Sequence, residues 1–131
     1  MSIFKNNSAE ILILIFFIFT YFLSVLEKLA DWRGTIAYYT NHFKNTILHK
    51  MIPVLLVNIL IFEIVVVFLL VVGLYFLVVD GNFLIAKVAL EVSAIILLQF
   101  LVGQRLSKDY PGAMNITVYF ILNSIGLYLL T

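Results

Sequence analysis

The stretch that decides the fold runs from Ile52 to Val79 and reads IPVLLVNILIFEIVVVFLLVVGLYFLVV. It is an almost unbroken apolar run, longer than the ~20 residues that a helix needs to cross a bilayer. Its one carboxylate is Glu63, which lies about 16 Å along the helix from Ile52 and therefore near the middle of a ~30 Å hydrocarbon core. An acid at that depth normally faces a bundle interior, a partner or a water-filled cavity. Glu63 is therefore the first candidate site residue.

The composition of the whole chain points to the same environment. Of its 131 residues, 64% are hydrophobic and 11% are charged, whereas about a quarter of the residues in a soluble domain are charged. Four spans of ~20 residues with short connections would nearly exhaust this length. We therefore predict a single transmembrane domain over residues 1–131, all-α and polytopic, with no soluble domain beside it.

The four predicted spans cover about residues 10–29, 52–79, 83–106 and 114–130. Short connections between them predict an antiparallel bundle. The first span is expected to be retained and not cleaved as a leader, because no small-x-small cleavage site follows its apolar run. Pro53 suits the first turn of the second span, and Asp80-Gly81-Asn82 is a turn signal between the second and third spans.

The one extended polar connection, at about residues 32–48, predicts an amphipathic helix. Apolar side chains recur at three- and four-residue steps, namely Trp32, Ile36, Tyr39, Phe43 and Ile47, while Tyr38, Asn41, His42, Asn45 and His49 take the other face. Such a helix lies in the membrane interface, where Trp and Tyr are favoured. The two histidines are ~10 Å apart along its axis, too far to share one metal ion without other ligands.

Several chemistries are excluded by residues that the chain lacks. It has no cysteine, which excludes disulfides, iron–sulfur ligation and cysteine-based zinc sites. Neither a haem nor any metal site is expected, and a redox role would need a bound cofactor or a partner. The formal net charge of +1 gives no reason to expect nucleic acid as a partner.

Polar residues inside the spans define a candidate internal network or ligand-binding site. In the first span Thr20, Ser24, Glu27 and Asp31 share one stripe, and the two hydroxyls are expected to bond the preceding helical turn. In the third span Lys87 and Glu91 are i, i+4 neighbours that can pair within the helix. A tight hairpin between the second and third spans would bring Glu63 level with the segment from Ala94 to Gln99. Glu63 could then contact Gln99 or a water between itself and Glu91. Asn123 contributes from the fourth span. The Lys87–Glu91 pair could equally serve only to specify helix contacts.

The distribution of cations predicts the orientation. The side that holds both termini carries Lys5, apart from the membrane-embedded Lys87. The opposite side carries Lys28, Arg33, Lys44, Lys50, Arg105 and Lys108. The positive-inside rule places the more basic side in the cytoplasm and both termini in the periplasm.

Three short motifs resemble the DoxX family of small bacterial membrane proteins. They are Leu26-Glu27-Lys28-Leu29-Ala30-Asp31, Phe62-Glu63-Ile64 with Gly73-Leu74, and the segment from Gly103 to Ala113. The resemblance implies a compact four-helix bundle of the bacterial inner membrane that associates with membrane oxidoreductase systems, including quinone-linked sulfur oxidation and redox homeostasis. By position, Lys28, Asp31 and Glu63 match polar residues of the family that would line an internal pocket. The absence of cysteine and of a haem ligand pair argues against an independent redox activity.

Three functions are consistent with this pattern. The leading one is a non-catalytic integral membrane subunit that stabilises or tunes a larger envelope complex, with lipid and other membrane subunits as its partners. The alternative is a protein that binds a quinone or another small ligand, with Glu63 as proton acceptor. The third is a proton or ion path through the bundle, which needs a continuous polar line between the two faces.

Overall fold

A computed structural model of the chain describes residues 8–131. These residues form five α-helices and a short 3-10 turn at His49–Met51, and they contain no strand. The helices are α1 (Ser8–Ala30), α2 (Trp32–His42), α3 (Ile52–Asp80), α4 (Leu84–Leu106) and α5 (Tyr110–Leu129). Lys5, used in the prediction of orientation, lies outside the described residues.

Four segments are long enough and apolar enough to cross a membrane. They are Ser8–Ala30, His49–Asp80, Leu84–Leu106 and Tyr110–Leu129. The predicted all-α class and the four apolar spans are thereby confirmed. The fourth span, α5, begins at Tyr110 and not at Met114, because the Asp109 carboxylate accepts a hydrogen bond from the Gly112 N–H at 3.0 Å and caps the helix there.

The polar connection between α1 and α3 is helical over a shorter stretch than predicted. Asp31 caps α2 by accepting from the Gly34 N–H at 3.0 Å, and the helix ends at His42 instead of near residue 48. Thr46 explains the early end: its hydroxyl donates to the Phe43 carbonyl at 2.9 Å and accepts from the Leu48 N–H at 3.1 Å. A side chain that bonds the local backbone in this way favours a turn over a helix.

The apolar side of α2 packs on the first turns of α3. Phe43, Ile52 and Leu56 form a small buried cluster against which Trp32 and Tyr39 pack. At the end of α2, His42 Nε2 lies 3.6 Å from an Asp109 carboxylate oxygen and 3.3 Å from Ser107 Oγ. Helix α2 is thus attached both to α3 and to the connection between α4 and α5.

Helices α3 and α4 approach most closely near their shared connection. Gly81 ends α3 with φ +67, a left-handed conformation that glycine adopts at little cost. Two turns earlier in α3, a Cβ on Gly73 would lie 2.6 Å from the backbone nitrogen of Ala86 and 2.7 Å from its Cα. The main core, which includes Phe17, Leu70 and Leu90, begins beside this contact.

Substitution of Gly73 by alanine is expected to destabilise the protein. The added methyl group meets backbone atoms of α4 and cannot be accommodated by a side-chain movement, so we expect a loss of about 1–3 kcal/mol in the free energy of unfolding. Unfolding by SDS in mixed micelles measures it. Val71→Leu adds one carbon on an exposed position of the same helix and should be nearly neutral. Equal stability of the two variants would contradict this close packing.

Candidate functional site

A buried ion pair joins the end of α1 to the middle of α3. Glu63 is 0% exposed and Lys28 is 8% exposed, and Lys28 Nζ lies 2.8 Å from Glu63 Oε1. The ammonium also donates to Ser24 Oγ at 2.6 Å, one turn earlier in α1. Side chains on a helix lean toward its N-terminus, so the lysine stem carries its charge from the helix end into the bundle.

The carboxylate of Glu63 is incompletely satisfied. Within residues 8–131, no hydrogen bond of favourable geometry reaches either of its oxygens, although Oε1 is in ionic contact with Lys28. A buried acceptor without a partner is costly in a medium of low dielectric constant. Glu63 therefore retains the capacity to accept a hydrogen bond from a donor that the described chain does not itself provide.

A small cavity of about 60 Å³ lies against Glu63. Its polar lining comes from Thr20, Tyr21, Ser24 and Tyr119, and its apolar lining includes Leu97 and Phe100 of α4. The volume admits at least one water molecule, and the surrounding hydroxyl groups offer the several partners that a buried water requires. A water held there would lie next to Glu63, between α1, α4 and α5.

A much larger cavity of about 510 Å³ lies beneath α2. It is bounded by the first turns of α3 and the last turns of α4, and most of its lining is apolar, including Phe43, Leu56 and Phe100. Leu98 and Val102, also in its wall, are 47% and 58% exposed, so the cavity reaches the outer surface of the bundle. Its volume falls within the range typical of small-molecule sites.

The polar groups in this large cavity are few. They are Lys28, Tyr39, Asn58, Gln99 and Gln104. The side-chain oxygens of Gln99 and Gln104 are buried without a hydrogen-bond partner in the described chain. Burial raises the pKa of Tyr39, reinforced by the neighbouring Tyr38, so its phenol stays protonated at neutral pH and can donate a hydrogen bond.

The structure brings together some of the sequence-predicted site residues and separates others. Lys28 and Glu63 are in direct contact, and Gln99 lines the large cavity beside Lys28. Asn123 is 0% exposed and donates from Nδ2 to the Leu90 carbonyl at 3.0 Å, which ties α5 to α4. Asp31 is exposed and serves as the α2 cap, and Glu27 is also exposed.

Lys87 and Glu91 do not join Glu63. Glu91 lies on the exposed face of α4, Lys87 is half-buried, and neither makes an ion pair within residues 8–131. The reason is depth: both lie near the start of α4, which follows the end of α3, whereas Glu63 is about 26 Å from that end at 1.5 Å per residue. The residue paired with Glu63 is therefore Lys28, and the expected approach of Glu91 through a water is wrong.

The hydroxyl groups of α1 differ in their partners. Thr20 donates to the Phe16 carbonyl at 2.8 Å, as expected for a helical threonine, but Ser24 binds Lys28 instead of the preceding turn. Tyr21, which sequence reasoning missed, hydrogen-bonds Ser93 Oγ at 2.7 Å across the core. The one feature of the sequence that could have indicated Tyr21 is its position directly after Thr20, which belongs to the polar stripe of the first span.

The two histidines also have separate partners. His42 contacts Ser107 and Asp109, while His49 Nδ1 lies 3.2 Å from the Thr40 carbonyl. Within the described residues no group of three or more His, Cys, Asp or Glu side chains is placed to hold a metal ion.

The helices and their buried polar groups define the class of this protein. It is a multi-pass α-helical membrane protein whose interior holds a Lys28–Glu63 ion pair between a small and a large cavity. No family model, curated protein or solved structure matches the chain.

Removal of one partner of the ion pair is expected to be strongly destabilising. Glu63→Gln leaves the Lys28 ammonium buried without a counterion, which should lower the free energy of unfolding by about 3–5 kcal/mol. The double variant Lys28→Met with Glu63→Met replaces both charges by apolar groups and should recover most of that loss. SDS unfolding of the single and double variants measures the difference. A double variant as unstable as Glu63→Gln would contradict a direct pairing.

Proposed function

We propose that this protein binds a small amphipathic molecule of the quinone class in the large cavity beneath α2. The observation that carries the proposal is the cavity itself, about 510 Å³ in volume, with an apolar lining and Lys28 in its wall. Ligand sites of this kind combine mostly apolar surface with a few polar groups that orient the ligand. A quinone matches this composition, because its two carbonyl oxygens can bind the few polar groups and its apolar tail can lie against the apolar surface.

The polar groups of the cavity are suited to such a ring. The Lys28 ammonium and the Tyr39 phenol are donors for the carbonyl oxygens of the oxidised form. The side-chain amides of Gln99 and Gln104, two residues of the cavity lining, contain the acceptors for the hydroxyl groups of the reduced form. The cavity therefore offers complementary partners to both forms.

The ion pair adds a route for a proton in this proposal. Lys28 lines the large cavity and contacts Glu63, which in turn lines the small cavity with its hydroxyl groups. A proton released by a bound hydroquinone would reach Glu63 through Lys28 or a water, and water in the small cavity would carry it onward. In this scheme Glu63 accepts one of the two protons of the hydroquinone, and its two electrons pass to an oxidoreductase partner, because the chain has no cysteine to ligate an iron–sulfur cluster of its own.

A non-catalytic subunit of a larger envelope complex is the second candidate function. The observation that favours it is the exposure of Glu91 on the outer face of α4, because a charged side chain in a span normally faces protein or water. The two functions are compatible, since a quinone-binding subunit can serve an oxidoreductase system of the kind that the DoxX resemblance implies.

The setting that we propose for either function is the inner membrane of a bacterium. The bundle is antiparallel, α2 is an amphipathic helix at the cytoplasmic interface, and both termini are periplasmic. The support is the charge distribution, with Arg33, Lys44, Lys50, Arg105 and Lys108 on the side of α2. The large cavity then opens in the cytoplasmic half of the bilayer.

Quenching of the single tryptophan tests quinone binding. Trp32 packs against Phe43 and Leu56, which line the large cavity, so decylubiquinone bound there should quench its fluorescence in a saturable manner in reconstituted vesicles. Gln99→Leu removes one buried polar group of the cavity and should raise the Kd on the order of tenfold, as expected for the loss of one well-placed hydrogen bond.

Asn115→Leu is the matched control for this experiment. It makes the same amide-to-apolar change at an exposed position of α5 outside the cavity, and its Kd should equal that of the unchanged protein. Non-saturable quenching, identical in all three proteins, would reflect quinone dissolved in the lipid and would overturn the proposal.

A further inference from the structure

Glu91 is a charged side chain on the outer surface of a membrane span. It lies about 10 Å along α4 from Leu84 at 1.5 Å per residue, it is exposed, and it has no cationic partner within residues 8–131. Ionisable residues in spans almost always face a bundle interior or a partner. The monomer leaves this carboxylate exposed on the outside of the span, and the described part of the monomer provides no surface that pairs it with a cation.

The residues around Glu91 form a regular helix-packing stripe. The exposed positions of α4 follow one another at steps of four and three residues, and they are Leu84, Val88, Glu91, Ile95, Leu98 and Val102. This spacing is that of a left-handed helix pair, the commonest crossing among membrane helices. We call these six residues the α4 stripe. Its geometry suits a second helix lying along it.

We propose that the α4 stripe binds the α4 stripe of a second copy of this chain, with Glu91 paired to Lys87 of the other copy. Lys87 lies one turn before Glu91 beside the same stripe, and it has no acidic partner in the described part of its own chain. The cation that Glu91 requires is thus carried by the chain itself, on the adjoining surface. The proposal is independent of the quinone function.

Two-fold symmetry makes this pairing reciprocal. Two copies inserted with the same orientation and related by an axis along the membrane normal present identical residues at identical depths. Lys87 of one copy is then offset from Glu91 of the other by about 6 Å along the helix axis, a step that the long lysine side chain can span. Each interface therefore contains two ion pairs, and both carboxylates are removed from lipid.

The second copy also affects the large cavity. Ile95, Leu98 and Val102 belong both to the α4 stripe and to the lining of that cavity. A helix packed along the stripe covers the side on which these residues are exposed. In the dimer, α4 of the second copy therefore covers the place where the cavity of the monomer reaches the outer surface.

Single-cysteine cross-linking tests the interface, and the chain is suited to it because it contains no cysteine. Val88→Cys lies in the α4 stripe, and Val71→Cys is its matched control. Val71 is an exposed valine of α3, and the contact between Gly73 and Ala86 shows that it lies at a similar depth. In vesicles of the purified protein at low density, oxidation should give at least about tenfold more disulfide dimer for Val88→Cys.

Charge reversal then tests the ion pair. Glu91→Lys or Lys87→Glu, each combined with Val88→Cys, juxtaposes like charges and should reduce the dimer toward the level of the control. The double exchange should restore it. Cross-linking at Val88 no stronger than at Val71 would overturn the proposal, and so would a double exchange that fails to restore the dimer. If a single variant does not insert, the contrast between positions 88 and 71 in the otherwise unchanged chain decides the question.

Discussion

The contact between the Lys28 ammonium and the Glu63 carboxylate constrains the rest of the molecule. An unpaired charge in an apolar interior is so unfavourable that the two groups must meet once the helices are inserted. Their contact holds the end of α1 against the middle of α3. Helix α1 therefore ends beside the middle of α3 and does not extend along its first turns. The capped helix α2 packs over those first turns instead.

This arrangement gives the bundle a tight end and a loose end. Near the α3–α4 connection, the missing side chain of Gly73 lets the backbones approach, and Gly126 likewise makes room for Leu90 and Ile13. At the other end α3 and α4 are covered by α2 instead of α1, and the large cavity remains between them. Close packing and a cavity coexist because the close helix contacts at Gly73 and Gly126 lie away from the cavity, whereas Gly103 in the cavity lining meets only Phe43, at an ordinary van der Waals distance. A ligand site at the loose end would leave the tight end as a rigid support.

The candidate site was only partly predictable from the residues. An acid in the middle of an apolar run identified Glu63, because burial of a carboxylate is unfavourable wherever the run lies. Burial cost alone does not distinguish the other three charged residues, because each lies near the end or within the first turns of a span. They are Lys28, Lys87 and Glu91. Their different environments depend on how far each helix extends and how it is rotated. Those properties arise from contacts between residues distant in the chain, such as Tyr21 with Ser93.

The sequence by itself determined the class of this protein and the approximate limits of its spans, because the free energy of transfer into lipid is summed over consecutive residues and turn signals are local. It also determined that Glu63 would need a partner. Only the tertiary structure decided that the partner is Lys28, that α2 ends at His42, that two cavities flank the ion pair, and that Glu91 faces outward. Each of these depends on the rotation and stagger of packed helices. Helical periodicity fixes which residues share a face, but not which neighbour that face meets.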